Sequence, residues 1–519
     1  MNLKRKLWWA QHKSNVYKYG TILSLVLIVT ISIIYFTYSK FSSRNEATAY
    51  ETTVEPFIKN DYFIASYIDG EWSDSIPGKD DGYEVDKVVC DNGATGTWDN
   101  TDWGINIRNA TKKTKCSVYF VPRLDINVEL AQGMIPVKFD DAGNVVVADT
   151  STKWYNYKTH EWANAVLVNC ADSSIKSKYF DSNNNVLASA VGKTISMNEI
   201  MQMYVYIPRY KYQLFNAEDG TSNPQAINIT FESKTTAKST GTKNGEWLTH
   251  PAFTFGDKEL AGIWVGKFET SNTSELPKIV PNVSSLRSMT PSAQFNTSRL
   301  MTTTLASTYG TSTNDDSHMM KNMEWGAVAY LSSSIYGRYT NASTCIESGC
   351  EVWINNNSNF TTGCAGSSVS ASSASTCNAW NTATGVNAST TGNIYGIYDM
   401  SGGAWEYVMG NYNDTISSAG FSSMPEAKYY DKYTGTDSNS DFTKYHLGDA
   451  TKETLKTKST GGNAWYQDYS YSVYSSRPWG GRGGSYYGST NAGVFGFNNV
   501  GGSGDSYTSF RVALGTLQE

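Results

Sequence analysis

The sequence predicts an α+β protein in which strands outnumber helices, attached to one N-terminal membrane-spanning helix. Three observations lead to this prediction: an uncharged apolar run near the N-terminus, short alternating strand patterns between Gly-rich turns, and a composition rich in aromatic residues. Aromatic residues make up 13% of the 519 residues, and charged residues only 17%. This composition excludes a disordered, highly charged chain. The net charge of −6 argues against a nucleic-acid partner, because neutralising phosphates requires a basic surface.

Residues 19–41 have the composition of a transmembrane anchor. The stretch from Tyr19 to Ser39 contains no charged residue and, as a helix, spans about 30 Å, the thickness of the hydrocarbon core. Residues 1–18 contain basic residues and no acid, which predicts a cytoplasmic tail. We therefore expect a single-pass membrane protein whose C-terminal part lies outside the cell. The alternative is a signal peptide that is cleaved after the small residues 47–49.

Residues 55–121 are predicted to form a small all-β module next to the membrane. Residues 62–68 alternate apolar residues with smaller or polar ones, and Asp69-Gly70 marks a turn. Cys90 and Cys116 both fall in this module, and the oxidising environment outside the cell favours a disulfide between them.

The rest of the chain is predicted to consist of a neck and one large domain. Residues 122–198 mix strand-like and aromatic, turn-rich stretches, and we interpret them as a connecting neck. Residues 199–519 combine short strands with Gly-rich turns, and one helix is predicted to begin near Met323. A segment rich in Ser, Thr, Asn and Gly, residues 340–392, is interpreted as a surface insertion pinned by disulfides.

Four cysteines lie in this insertion, namely Cys345, Cys350, Cys364 and Cys377. Two disulfides among four cysteines allow three pairings, and the sequence does not choose between them. A zinc site is the alternative, although the spacing contains no C-x₂-C pair of the kind found in zinc knuckles.

Several segments of the large domain occur in an order known from one protein family. Along the chain they are 203–209 (MYVYIPR), 262–270 (GIWVGKFET), 392–407 (GNIYGIYDMSGGAWEY), 482–485 (RGGS) and 509–514 (SFRVAL). This order resembles the formylglycine-generating (sulfatase-modifying) enzyme family. The resemblance implies a C-type-lectin-like fold for residues 199–519.

The resemblance also implies a calcium site. In the enzyme family, the segment equivalent to 392–407 binds calcium, and the matching positions here are the side chains of Asp399 and Glu406 and the carbonyl groups of Gly402 and Ala404. Oxygen ligands from a Gly-containing loop suit this hard cation. The alternative is that Glu406 accepts hydrogen bonds from loop amides. Trp405, in the same segment, is interpreted as a core aromatic.

The resemblance does not extend to catalysis. Oxidase members use a cysteine pair between the segments that match 482–485 and 509–514, where thiolates act as metal ligands and redox groups. Here the interval contains no cysteine, and the five histidines show no metal-ligand spacing. His318, close to Asp315 and Asp316, is interpreted as solvated. We therefore expect no enzymatic activity.

The C-terminal segment 485–508 is rich in Tyr, Ser, Asn, Gly, Asp and Thr, as antibody paratopes are. This pattern resembles the variable region of proteins diversified by retroelements, such as phage tropism determinants and bacterial surface proteins with a lectin fold. The predicted ligand-binding residues are Ser485, Tyr486, Tyr487, Asn498, Asn499, Asp505, Ser506, Tyr507 and Thr508.

Together these observations predict a non-catalytic, receptor- or adhesin-like protein of the bacterial cell membrane. Its C-terminal face would bind a protein or a glycan outside the cell, and calcium is the only cofactor implied. Two alternatives stay open: a modifying enzyme of the formylglycine-generating type that uses other residues, and a structural cell-envelope protein without a specific ligand.

Overall fold

Strands dominate the structure, a computed structural model that describes residues 63–68, 71–72, 76, 79, 83–110, 114–122, 124, 126–339 and 350–517. All of these residues belong to one unit, Asn60–Glu519. Among the described residues, strand residues outnumber helical ones, so this part of the fold is mostly β. The predicted anchor, residues 19–41, lies outside the described residues. Within the described part of the chain, no helix combines the length and the apolar character needed to cross a bilayer.

The first six strands form a small β module. They are β1 (Phe63–Ile68), β2 (Glu71–Trp72), β3 (Tyr83–Cys90), β4 (Thr95–Asp99), β5 (Gly104–Arg108) and β6 (Lys115–Pro122). Four of them form a sheet in the order β2-β1-β6-β3, and β4 and β5 form a hairpin. The rings of Trp98 and Trp103 pack on Phe120 in the core of the module. Cys90 and Cys116, opposite each other on β3 and β6, form the predicted disulfide.

The remaining chain contains four α-helices and 21 strands among the described residues. The helices are α1 (Ser173–Tyr179), α2 (Pro291–Arg299), α3 (Ala306–Tyr309) and α4 (Asn322–Ser332). The strands are β7 (Ile135–Phe139), β8 (Val145–Val147), β9 (Asn164–Val168), β10 (Ile200–Pro208), β11 (Tyr210–Gln213), β12 (Ile229–Phe231), β13 (Trp247–Thr249), β14 (Thr254–Phe255), β15 (Lys258–Glu259), β16 (Gly262–Gly266), β17 (Ser271–Asn272), β18 (Pro277–Lys278), β19 (Asp316–Met319), β20 (Cys364–Ala365), β21 (Asn378–Ala379), β22 (Trp405–Tyr412), β23 (Asp431–Tyr433), β24 (Trp479–Gly483), β25 (Gly493–Val500), β26 (Thr508–Phe510) and β27 (Val512–Gly515).

A seven-stranded sheet with the order β19-β27-β16-β10-β9-β7-β8 crosses the large domain. Every residue of β10 is buried, as expected for a nearly continuous apolar run covered on both faces. Three strands of this sheet, β7, β8 and β9, come from residues 122–198. The predicted separate neck is therefore wrong for these strands, because their backbone hydrogen bonds join them to the sheet of the large domain.

Helix α4 confirms the helix predicted near Met323, and all of its residues are buried. Glu324 caps the N-terminus of this helix: its Oε2 accepts a hydrogen bond from the backbone N–H of Lys321 at 2.8 Å. The indole N–H of Trp325 on this helix donates to the carbonyl of Val494 in β25 at 2.8 Å. Helix α4 therefore packs directly beneath the second large sheet.

This second sheet carries the C-terminal segment. It has the order β23-β22-β24-β25, and β26 pairs with the first half of β22 in parallel. Strand β22 is thus central, with Trp405 next to Thr508 and Tyr407 opposite Gly481. The segments 392–407, 482–485 and 509–514, which are far apart in sequence, meet at this sheet.

The segment predicted as a surface insertion is divided where the structure describes it, from residue 350 to 392: most of 350–366 is buried, whereas most of 367–384 is exposed. Ile354 and Asn355 are buried, as are Cys364 and Thr390. The first part departs from the prediction because its polar groups are satisfied within the segment: Asn355 Nδ2, for example, donates to the carbonyl of Thr361 at 2.9 Å.

Disulfides replace the alternative zinc site in this segment. Cys364 is bonded to Cys377, and Cys350 is disulfide-bonded as well. A cysteine in a disulfide carries no thiolate to offer a metal, so the zinc alternative is wrong for these three residues.

Candidate ligand-binding surface

Three tyrosines form an exposed cluster, which we call the tyrosine cluster: Tyr486, Tyr487 and Tyr507. Tyr487 is 55% exposed and Tyr507 is 41% exposed, whereas Tyr486 is half-buried. The ring of Tyr487 stands nearly perpendicular to the other two, with centroids 5.2 Å from Tyr486 and 5.6 Å from Tyr507. The rings of Tyr486 and Tyr507 are nearly parallel, 6.4 Å apart. The tyrosine cluster therefore presents aromatic rings to solvent in a defined mutual arrangement.

Backbone hydrogen bonds to the start of β22 fix this cluster on both sides. The N–H of Tyr486 donates to the carbonyl of Gly403 at 2.8 Å, and the N–H of Trp405 donates to the carbonyl of Tyr507 at 2.8 Å. The side chain of Asp505 accepts a further hydrogen bond from the N–H of Tyr507 at 2.7 Å. The tyrosines therefore stand on loops whose backbone is bonded to a central strand.

Trp405 extends this surface, contrary to its prediction as a core aromatic. It is half-buried, and its ring lies beside Gly481, where an added Cβ would come 3.7 Å from Trp405 Cε3. The ring of Tyr469 follows at 5.9 Å, and that of Tyr471 lies 4.9 Å beyond it. Asn498, opposite Gly481 on β25, is half-buried on the same face. No local pattern in the sequence reveals which residues lie beside Trp405, because strand register is set by long-range pairing.

Three of the predicted binding residues lie in the interior. Ser485, Asn499 and Thr508 are buried, so they are not available to a ligand. Side chains alternate across a strand, and because Asn498 faces outward, Asn499 must face the core. Its Nδ2 donates to the carbonyl of Ser472 at 2.7 Å.

The remaining predicted residues lie at the rim of the tyrosine cluster. Asp505 and Ser506 are exposed. The carbonyl of Ser506 accepts a hydrogen bond from Nη1 of Arg287, and the guanidinium carbon of Arg287 lies 3.7 Å from the ring centroid of Phe360. Phe360 in turn contacts the tyrosine cluster from below, with its centroid 4.8 Å from that of Tyr486. Arg287 and Phe360 carried no signal in the sequence that linked them to residues 485–508.

The two carboxylates implied for calcium, those of Glu406 and Asp399, already have protein partners. Nε of Arg511 lies 3.0 Å from Oε2 of Glu406 and Nη2 contacts Oε1, so the carboxylate is already paired with a buried cation. Asp399 accepts from the side chain of Asn355 at 2.8 Å and from the N–H of Gly363 at 2.8 Å. Hydrogen-bond donors of the protein are therefore aimed at both carboxylates, and calcium at this place stays a prediction.

At the two loop positions implied for calcium, Gly402 and Ala404, the N–H groups donate to protein groups, whereas the prediction concerns their carbonyl groups. The N–H of Gly402 donates to the carbonyl of Gly483 at 3.0 Å, and that of Ala404 donates to Oε1 of Glu269 at 2.8 Å. A carboxylate does accept from a loop amide, but it belongs to Glu269 and not to Glu406. Burial raises the pKa of Glu269 well above its ordinary value and that of Glu406 to about 7. In the described part of the chain, no group of three or more His, Cys, Asp or Glu side chains is placed to hold a metal.

The prediction that His318 is solvated is wrong: this residue is buried on β19 between two carboxylates. Its Nδ1 lies 3.0 Å from Oδ1 of Asp316, and its Nε2 lies 2.9 Å from Oε1 of Glu324. Burial alone lowers the pKa of His318, but the charge of Glu324 and the hydrogen bonds to both acids outweigh it and raise the pKa to about 9. The residue therefore forms a buried ion pair that holds β19 against α4.

The comparisons with known proteins give no family. The sequence matches no family model and no curated protein. Among solved structures, the chain is similar to the Major Tropism Determinant I1 variant, with 10% identity, 83% of this chain and 82% of that chain covered, and a TM-score of 0.25. It is also similar to the Treponema denticola variable protein 1, with 12% identity, 67% and 93% covered, and a TM-score of 0.17. At such TM-scores neither similarity bears on function, and the resemblance to the formylglycine-generating enzyme family stays a prediction.

Proposed function

We propose that this chain is a non-catalytic ligand-binding protein of the bacterial cell surface, and that its ligand contacts the tyrosine cluster and Trp405. The observation that supports this proposal is that the rings are exposed while their backbone is held: Tyr487 and Tyr507 face solvent, and backbone hydrogen bonds join Tyr486 to Gly403 and Tyr507 to Trp405. Exposed aromatic rings on a rigid frame offer a large contact area at a small cost in conformational entropy.

The ligand is a protein or a glycan outside the cell, bound without a covalent step. Tyr and Trp supply most of the binding free energy in interfaces where a few residues dominate, with about 2 kcal/mol or more for each dominant residue. The amide of Asn498 and the hydroxyl of Ser506 supply polar groups at the edge of the aromatic surface. In this proposal residues 19–41 attach the chain to the membrane, and retroelement diversification supplies the composition of residues 485–508.

The experiment measures binding of the purified full chain, kept in detergent micelles, to two arrays, one of glycans and one of bacterial and host surface proteins. The test variant combines Tyr487→Ser with Tyr507→Ser. The matched control is Tyr119→Ser, which removes a half-buried tyrosine from the outer face of the small β module. Thermal unfolding of each variant is recorded in parallel.

We expect the wild-type chain to bind members of one array and the double variant to bind them at least about 30-fold more weakly. This loss corresponds to a binding free energy of about 1 kcal/mol or more from each of the two tyrosines. Tyr119→Ser should bind as the wild type does. Equal binding by the double variant would contradict the proposal. So would a fall of several degrees in its melting temperature, because the rings would then be part of the core.

A further inference from the structure

Phe360 has an unusual backbone conformation directly beneath the tyrosine cluster. Its φ is +54°, a left-handed value that bulky residues rarely adopt, and only 8% of the residue is exposed. The turn is held by Asn357, whose carbonyl accepts from the N–H of Phe360 at 2.9 Å. The side-chain Oδ1 of Asn357 accepts from the N–H groups of Asn359 and Thr361 at 3.1 and 3.3 Å. The chain therefore holds a strained conformation that aims this ring at the surface residues.

The ring of Phe360 lies between a cation and two tyrosines. The guanidinium of Arg287 contacts the ring, with Cζ 3.7 Å from its centroid. The ring centroids of Tyr486 and Tyr507 lie 4.8 and 6.0 Å from that of Phe360. Phe360 and Tyr486 pack edge to face, an arrangement that fixes the orientation of the two rings as well as their distance, and the ring of Tyr507 is tilted against Phe360.

The segment from Ser285 to Ser288 links this turn to the loop of Tyr507. The N–H of Ser285 donates to the carbonyl of Phe360 at 3.0 Å, and the N–H of Ser288 donates to the carbonyl of Asp505 at 3.0 Å. Between them, Arg287 donates to the carbonyl of Ser506. A shift of the Phe360 turn would therefore be transmitted to residues 505–507.

The disulfide-closed segment 364–377 holds the same turn from the other side. Nδ2 of Asn357 donates to the carbonyls of Ser375 and Thr376, both at 3.1 Å, just before Cys377. The disulfide-closed segment also contacts the C-terminal segment 485–508, because Oγ of Ser489 donates to the carbonyl of Ser370 at 2.8 Å.

We infer that Phe360 is a positioning residue of the ligand-binding surface and that the Cys364–Cys377 disulfide holds the turn from which it acts. This inference rests on the proposed function. Phe360 itself is too buried to contact a ligand. It orders the rings of Tyr486 and Tyr507 before binding, so that binding does not have to immobilise them.

The test uses two substitutions that separate the ring from the backbone. Phe360→Gly removes the ring but suits the left-handed φ, so the turn itself loses its strain. Phe360→Leu keeps apolar volume without an aromatic edge. The control is Phe139→Leu, which removes a ring that packs beside Trp380 and Tyr395. Amide hydrogen exchange, followed by mass spectrometry on peptides covering 484–490, 503–509 and 200–208, needs no ligand.

We expect both Phe360 variants to raise exchange about tenfold or more in 484–490 and 503–509, with 200–208 unchanged, because these loops open locally and β10 does not. Phe139→Leu should leave the two loop peptides unchanged. Unchanged exchange in both loops would overturn the inference. Equal acceleration in all three peptides would also overturn it, because Phe360 would then act only as a core residue.

A second arm replaces both cysteines, Cys364→Ser with Cys377→Ser, and should raise exchange in residues 357–361 and in 484–490. Unchanged exchange there would overturn the role assigned to the disulfide. On array members that capture the wild type, Phe360→Gly should weaken binding about 5- to 50-fold, the cost expected for ordering two side chains during binding. If the wild type captured nothing, the proposed function would fail, while the exchange results would still decide whether Phe360 orders the loops.

Discussion

Arg511 and Glu406 form a buried two-point ion pair that joins the last segment of the chain to the centre of the second sheet. Arg511 also donates to the carbonyl of Gly266 at 2.8 Å and to that of Tyr398 at 2.9 Å. One guanidinium thus connects three of the segments on which the family resemblance depends. In this chain, these three segments are therefore joined by one hydrogen-bonding network.

Removing the cation of this pair should destabilise the protein strongly. Arg511→Met leaves the carboxylate of Glu406 buried without a partner, and such a change typically costs about 3–5 kcal/mol. The measurement is the free energy of unfolding by chemical denaturation. Arg511→Met combined with Glu406→Gln should recover part of the loss, because no ionised group is then left unpaired. A single variant as stable as the wild type would contradict the role of the pair.

Calcium should not stabilise the fold. Because Arg511 and amide donors already occupy the carboxylates of Glu406 and Asp399, a chelator has nothing to withdraw from these two residues. We expect the same melting temperature in millimolar calcium and in an excess of chelator. An increase of several degrees with calcium would instead support the site implied by the family resemblance, since a ligand that binds only the folded state raises its stability.

The ion pair of His318 should make the protein less stable at alkaline pH. The pKa of His318 is raised to about 9 in the folded state, against about 6.5 for an ordinary histidine. Its contribution to stability is therefore complete below pH of about 6.5 and is lost as the pH rises through about 9. The free energy of unfolding should fall across this range by an amount on the order of 3 kcal/mol.

The variant His318→Gln provides the control for this prediction. Its free energy of unfolding should lie below that of the wild type at pH 6 and approach it at pH 10, because only the wild type loses a charged pair. Titration of the His318 ring by NMR measures the pKa directly. A value near 6.5 would contradict the prediction.

The parts of the fold that depend on local pattern could be predicted from the sequence. The Cys90–Cys116 disulfide followed from two cysteines in one short module, and helix α4 followed from its apolar spacing. The pairing of β9 with β10 could not be predicted, because residues 164–168 and 200–205 join through hydrogen bonds that no local pattern specifies.

Within the candidate surface, the residue types were easier to predict than the direction of each side chain. Tyr487 and Tyr507 are exposed as expected, but Asn499 is buried because strand register, which is set by long-range pairing, turns it inward. Trp405 was assigned to the core because an indole in an apolar motif usually packs there. In the structure its ring lies beside Gly481, which has no side chain to cover it, and Trp405 is half-buried.

The alternation of outward and inward side chains on β25 divides the C-terminal segment into exchangeable and fixed positions. Asn498 can be replaced by many residue types without cost to the interior, whereas its neighbour Asn499 bonds the carbonyl of Ser472 and tolerates few. A combinatorial library built on this chain would therefore randomise positions 487, 498, 506 and 507 and keep 485, 499 and 508 constant. Such a library would retain folded members at high frequency, in the way that antibody frameworks accept new loops.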